Sequence, residues 1–149
     1  MKITDIRIDG FGVWNDLRLE RLSPNLTAFY GANEAGKTTL MQFSRAVLYG
    51  MSAERRSRYL PPVNGGKPGG TLSILSDGDQ LHVSRIADRG PDDVGLVSIR
   101  TKDGPATGDR MLREALSEID ESTFNNIFAI GLSEIQQLGT LSDTKAANW

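Results

Sequence analysis

The sequence predicts an α/β fold: a mixed β-sheet whose antiparallel strands surround one glycine-headed helix, with additional C-terminal helices. Three observations predict it. The first 31 residues read as short strands that stop at Gly31. An apolar repeat with three-to-four spacing then runs from Lys37 to Tyr49, directly after a glycine-bearing turn. Beyond it, three β-type runs are separated by turn residues rather than by helices, which favours antiparallel pairing.

The elements follow in order. Ile3, Ile6 and Ile8 mark an opening strand, broken by Asp9-Gly10 and Gly12. Leu17 and Leu19 alternate with Asp16, Arg18 and Glu20, as in a strand buried on one face. Ser23-Pro24-Asn25 signals a turn, and Leu26-Thr27-Ala28-Phe29-Tyr30 is a nearly continuous apolar run of strand length. In the helix, Leu40, Phe43 and Val47 lie on one stripe, and Gly50 sits where a helix C-terminal glycine belongs. Residues 52–70 hold three prolines and four glycines and read as a flexible loop. Thr71–Ser76, Gln80–Ala87 and Gly95–Arg100 are strand candidates, with Asp77-Gly78 as a hairpin turn and Asp88–Val94 as a polar loop. From about Gly108, the stripe Met111, Leu112, Ala115, Leu116 and Ile119 predicts a helix. A shorter apolar patch follows through Phe124, Ile127, Phe128 and Ile130. Ser133 with Gln136 has the spacing of a capping box, and residues 140–149 read as a tail.

Composition narrows the function classes. A chain of 149 residues is the length of one domain and can bury roughly 70% of its unfolded surface. With 17 Lys+Arg against 19 Asp+Glu, it has no overall basic field for nucleic acid. It contains no cysteine, which excludes disulfides, thiolate metal sites and a cysteine nucleophile. His82 is its one histidine, so multi-histidine metal sites are excluded and a histidine-based triad is disfavoured. No apolar leader follows Met1 and no apolar run of membrane-spanning length occurs, so a cytoplasmic location is expected.

One motif carries chemistry. Gly31-Ala32-Asn33-Glu34-Ala35-Gly36-Lys37-Thr38 matches G-x-x-x-x-G-K-[ST] in full, with an apolar strand entering and an amphipathic helix leaving. The glycines let the backbone curl so that successive N–H groups face an anion, and the helix N-terminus adds partial positive charge. Asn33, Glu34, Ala35, Gly36, Lys37, Thr38 and Thr39 are therefore the candidate ATP-binding residues. Lys37 is placed for the β- and γ-phosphates as the catalytic residue, Thr38 for Mg²⁺, and Thr39 for the α-phosphate. The competing explanation is a glycine turn with a solvated lysine. The four fixed positions coincide in about one chain in a hundred of this length and glycine content. The strand–loop–helix context makes chance rarer still.

Gly31–Leu40 resembles the Walker A of the SMC/SbcC-type ATPases of the ABC superfamily, and its Asn-Glu-Ala-Gly-Lys wording is closest to the YhaN-like AAA proteins. Met1–Phe11 is similar to their opening strand, Leu48-Tyr49-Gly50 to the close of their first helix, and Phe128–Ile135 to their Q-loop segment. The resemblance implies a P-loop NTPase fold, specifically the N-terminal lobe of an ATPase head over 1–149. The coiled coil and the C-terminal lobe would follow. It implies ATP and Mg²⁺ as cofactors, and two ATPs sandwiched between two heads. Implied partners are the protein's own C-terminal lobe, a second head as homodimer, DNA and a nuclease subunit, in DNA repair or chromosome processing.

Departures from the family pattern are specific. No run of four apolar residues ending in Asp-Glu supplies a Walker B. Leu132-Ser-Glu-Ile-Gln136 lacks both glycines of the LSGGQ signature. Leu132 stands where the Q-loop glutamine is expected, which leaves Gln136 as an offset metal candidate. Gly12 stands where many relatives carry an arginine after the first-strand phenylalanine. Phe11 and Trp14 are positioned for core packing or, alternatively, for adenine or ribose contact. His82 reads as a strand histidine rather than a switch base, while Arg85 fits either the family's strand arginine or a solvated or ion-paired one. Arg55, Arg56, Arg58 and Lys67 give residues 52–70 a local positive charge that would suit DNA or simple solvation.

Three functions fit these residues. One is the ATP-binding lobe of an SMC/SbcC/YhaN-like ATPase, inactive until completed by the missing lobe and a second head. A second is an ATP-gated interaction module that never hydrolyses. A third is a GTPase-like switch, since Asp92-Asp-Val-Gly95 fits D-x-x-G, but no Asn-Lys-x-Asp base-reading motif accompanies it.

Overall fold

The structure is a computed structural model that describes residues 1–76, 78–87, 94–107 and 109–129. Six strands form one sheet: β1 (Lys2–Phe11), β2 (Trp14–Leu19), β3 (Gly69–Ser76), β4 (Asp79–Ile86), β5 (Leu96–Thr101) and β6 (Gly104–Thr107). Their spatial order is β2-β1-β3-β4-β5-β6. Helix α1 (Lys37–Tyr49) follows the glycine turn, and α2 (Ala53–Tyr59) and α3 (Asp109–Ala115) complete a first compact unit, Met1–Glu118.

The α/β class holds, but the described sheet is antiparallel at every pairing rather than mixed. Leu26–Tyr30, expected as a strand, joins no ladder among the described residues. Leu26 is 83% exposed and Tyr30 97% exposed, so their apolar side chains enter no core among the described residues. Residues 52–70, expected as a loop, contain α2. Its N-cap is Ser52, whose hydroxyl accepts the Arg55 N–H. β6 carried no signal of its own; it pairs with β5 across the tight turn at Lys102-Asp103.

One face of the sheet and one face of α1 make the core. Alternation turns Ile6 and Ile8 of β1, Leu72 and Ile74 of β3, Leu81 and Val83 of β4, and Val97 and Ile99 of β5 inward. Helix α1 contributes Leu40, Phe43, Ala46, Val47 and Leu48. Phe43 is seated over Gly70, where an added Cβ would stand 2.8 Å from its ring. Phe11 meets Phe43 edge-on at 5.6 Å and stacks on Tyr59 at 4.8 Å. Both phenyl rings are fully buried, so Phe11 is a core residue and not a base-stacking one.

The opposite face is polar. Directly paired side chains bond across it, Thr71 with Ser84 at 2.8 Å and Ser73 with His82 Nδ1 at 2.9 Å. His82 is thus a strand-surface residue held by a hydroxyl. Asp5 lies on the same face, where its carboxylate accepts the Arg21 N–H at 3.0 Å and the Thr4 hydroxyl at 2.8 Å. The Arg21 bond foremost, against an opposing effect of burial, holds its pKa below the ordinary aspartate value of 3.8, and the Thr4 and Ser73 hydroxyls add to this. A carboxylate depressed in the folded state stabilises it at pH values above the unfolded pKa. That contribution disappears as pH falls through the lower folded value. Asp5→Asn is accordingly expected to flatten the loss of stability below about pH 4. Urea unfolding midpoints measured across acid pH check this; an unchanged pH slope would contradict it.

A second unit runs from Ile119 to Trp149. Its described part holds α4 (Glu121–Ile127), capped by Asp120, whose carboxylate accepts the Thr123 N–H at 2.7 Å. Phe124 and Phe128 stack within it at 5.9 Å. The expected capping-box helix at Ser133 and the tail at 140–149 lie outside the described residues.

Candidate functional site

The glycine-rich loop leads directly into α1, where the motif puts the candidate site. The bend begins with an Ala35 N–H to Ala32 C=O bond at 3.3 Å. Glu34 at φ 66 and Gly36 at φ 88 then turn the chain through left-handed conformations into the helix. At Gly36 only glycine fits, because an added Cβ would stand 2.7 Å from the Trp14 ring. Helix α1 starts at Lys37 as expected. Gly36 is its N-cap, with no side-chain cap and no acidic residue in the first turn. The first-turn N–H groups consequently have no carboxylate or hydroxyl on them, and the helix dipole is uncompensated where an anion would sit.

Lys37 curls back over the loop. Its Nζ donates to the Gly31 carbonyl at 2.7 Å and the Ala32 carbonyl at 2.6 Å. An ammonium has three donors, so two fix it at the loop mouth and one remains for an incoming oxygen. Asn33, Glu34, Ala35, Lys37 and Thr38 are all exposed, and Gly36 is buried beneath the loop. Thr38 is the one hydroxyl open to solvent in the first turn. Thr39 differs: its Cγ2 lies against Gly12, where an added Cβ would be 2.7 Å away.

Gly12 explains its own departure from the arginine pattern. It sits at φ +55, boxed in by Thr39 and the Tyr59 ring. Its N–H donates to the Tyr59 carbonyl at 2.9 Å. A longer side chain has no room there.

Magnesium fits this site only in part. Thr38 can supply one hydroxyl oxygen, and Mg²⁺ bound to a nucleotide commonly takes few protein ligands, the rest being phosphate and water. No cluster of three or more acidic or histidine residues exists among the described residues. Gln136, the second metal candidate, lies outside them.

The lesser candidates separate cleanly. Trp14 is half-buried and rests on the loop itself, its Nε1–H donating to the Gly36 carbonyl at 3.2 Å. The sequence signalled this only by proximity of an aromatic residue to the first strand's end. Arg85 is buried at 4% exposure, donating to the Val47 carbonyl and the Gly95 carbonyl, both at 2.9 Å. It is neither solvated nor at the loop. Of the four cations in 52–70, Arg55 is buried and donates to the Gly50 carbonyl. That leaves Arg56 half-buried and Arg58 and Lys67 exposed.

A model of the family described as AAA domain matches residues 1–142. The chain belongs to this AAA domain family. The AAA domain chain is also 23% identical over 145 residues to the uncharacterized protein YhaN of Bacillus subtilis (strain 168), an alignment covering 97% of this chain. The same alignment covers 14% of that relative's length, so the AAA domain chain corresponds to a small part of it. Among the described residues, no helix of the AAA domain chain is long and apolar enough to cross a membrane.

Proposed function

We propose that this chain is the ATP-binding lobe of a larger SMC/SbcC/YhaN-like ATPase, and that Gly31–Thr39 holds the triphosphate. The observation that carries the reading is the uncapped, left-handed entry into α1, with Lys37 held at the loop mouth by two carbonyls. Lys37 is the point charge for the β- and γ-phosphates, and the first-turn N–H groups line the same anion. Thr38 offers its hydroxyl to Mg²⁺, which when bound would neutralise phosphate charge. In the complete enzyme, water attacks the γ-phosphorus in line, oriented by a carboxylate that this sequence does not supply.

One exposed segment supports a place for a further lobe to join. Leu26–Tyr30 is strand-like in sequence and exposed, and no backbone bond ties it to a neighbouring strand among the described residues. Beside it, a groove of about 320 Å³ between β1 and α1 is lined by Ile3, Leu22, Phe29, Leu40 and Met41, with Lys37 at its edge. A strand from the C-terminal lobe would supply the missing ladder and bury these side chains. The chain's 14% coverage of its relative leaves ample sequence for such a lobe. The GTPase-like alternative draws no support: the strands after α1 are antiparallel, and Asp92 lies outside the described residues.

The test is calorimetric titration with Mg·ATP, followed by phosphate release. The chain alone is expected to bind weakly and to release no phosphate above background. Adding the C-terminal part of the full-length protein should switch turnover on. Failure of Mg·ATP to bind overturns the site, and steady turnover by the 149 residues alone overturns the split-lobe reading. Binding without turnover in the complete protein identifies the non-hydrolysing module instead.

A further inference from the structure

Three features of the fold converge on Trp14. Its indole N–H donates to the Gly36 carbonyl, the same oxygen that accepts the Leu40 N–H at 2.9 Å to open α1. Its ring covers the Gly36 Cα so closely that an added Cβ would stand 2.7 Å from Cζ2 and 2.8 Å from Cε2. Trp14 itself is anchored. It pairs with Phe11 across the β1–β2 turn, and Asn64 clamps that turn by donating to the Val13 carbonyl at 2.7 Å while accepting from Asn15 at 2.8 Å.

The chemistry of this contact differs from an ordinary helix cap. A Ser or Asp cap fixes a helix start by occupying one of its free N–H groups. The indole fixes the start through a carbonyl, which leaves those N–H groups unoccupied. A left-handed glycine, which is flexible by nature, is thereby held in one conformation without spending an anion-binding donor.

We infer that Trp14 is a positioning residue of the phosphate loop, setting Gly36 and the first turn of α1 in the geometry that receives a polyphosphate. This rests on the nucleotide-binding reading above. Acting on the loop, Trp14 contributes equally to ligands with and without a base.

The decisive experiment titrates the wild-type chain, W14F, W14A and K37A with Mg·ATP and with Mg·tripolyphosphate, each after circular dichroism confirms a folded chain. W14A is expected to weaken both ligands by about tenfold, through lost ring contact and lost hydrogen bond. W14F keeps the ring and loses only the N–H, so about threefold is expected for both ligands, and it serves where W14A does not fold. Affinities of W14A, or of W14F alone, equal to wild type for both ligands would overturn the inference. So would a variant that loses ATP but retains tripolyphosphate, since the indole would then be touching the base. Failure of the underlying reading looks different: K37A itself would bind both ligands unchanged.

Discussion

Lys37→Ala is expected to lower Mg·ATP affinity by about a hundredfold while leaving the melting temperature nearly unchanged. Charge-assisted hydrogen bonds contribute about 1.5–3 kcal/mol each, and a triphosphate would lose at least one such bond together with its nearest cation. The upper end of that range corresponds to the hundredfold loss. Stability is spared because Lys37 is exposed and its two acceptors, Gly31 and Ala32, are exposed as well. Water replaces the ammonium on both carbonyls, and surface changes of this kind usually stay within about 0.5 kcal/mol. Lys37→Arg should also bind poorly, because a planar guanidinium cannot reproduce a point charge seated between two carbonyls. Calorimetry at fixed salt, paired with thermal melts, measures both quantities. Undiminished affinity in Lys37→Ala would place the nucleotide elsewhere.

How far the sequence revealed this site depends on the range of the forces involved. The loop and its helix are local: glycine conformational freedom, the helical stripe Leu40, Phe43 and Val47, and the terminal Gly50 all act within a few residues. The helix accordingly spans Lys37–Tyr49, as the pattern predicts. Strands β3, β4 and β5 were legible for the same reason, since alternation and turns specify them without reference to distant neighbours. Leu26–Tyr30 marks the limit. Its composition is that of a buried strand, but a strand exists only when a partner accepts its hydrogen bonds, and none is present among the described residues. The two contacts that shape the loop's surroundings, Trp14 on Gly36 and Thr39 on Gly12, join residues more than twenty positions apart. No periodicity encodes them. Arg85 lies between these cases. It shares the inward phase of Leu81 and Val83, yet its charge left a solvated or ion-paired arginine equally open, and only the fold shows that it is buried and which carbonyls it meets.

Those carbonyls make Arg85→Leu the substitution with the largest expected effect on stability, about 3 kcal/mol. Helix α1 has no basic residue in its last turn, so the cations at its C-terminal end come from elsewhere, Arg85 from β4 on Val47 and Arg55 from α2 on Gly50. Val47 is fully buried and its carbonyl lies in the last turn, where no further helical N–H can reach it. Arg85 also holds Gly95, whose added Cβ would stand 2.7 Å from the arginine Cγ. Leucine fills much of the volume but leaves both carbonyls without these donors, at about 1–3 kcal/mol for each buried unsatisfied group. The favourable contact between a buried cation and the negative helix end is lost as well. For a unit of this size, about 3 kcal/mol corresponds to a fall in melting temperature of roughly 10 °C. Arg85→Lys should recover part of it, because one ammonium can reach one carbonyl but not fork to two. Urea unfolding with an unchanged slope would measure the loss directly. Below the melting transition, Mg·ATP affinity should stay within about twofold of wild type, since the defect sits three turns from Lys37 on a helix with 3.6 residues per turn. A stability loss under about 1 kcal/mol would show that water or a neighbouring group satisfies the two carbonyls instead.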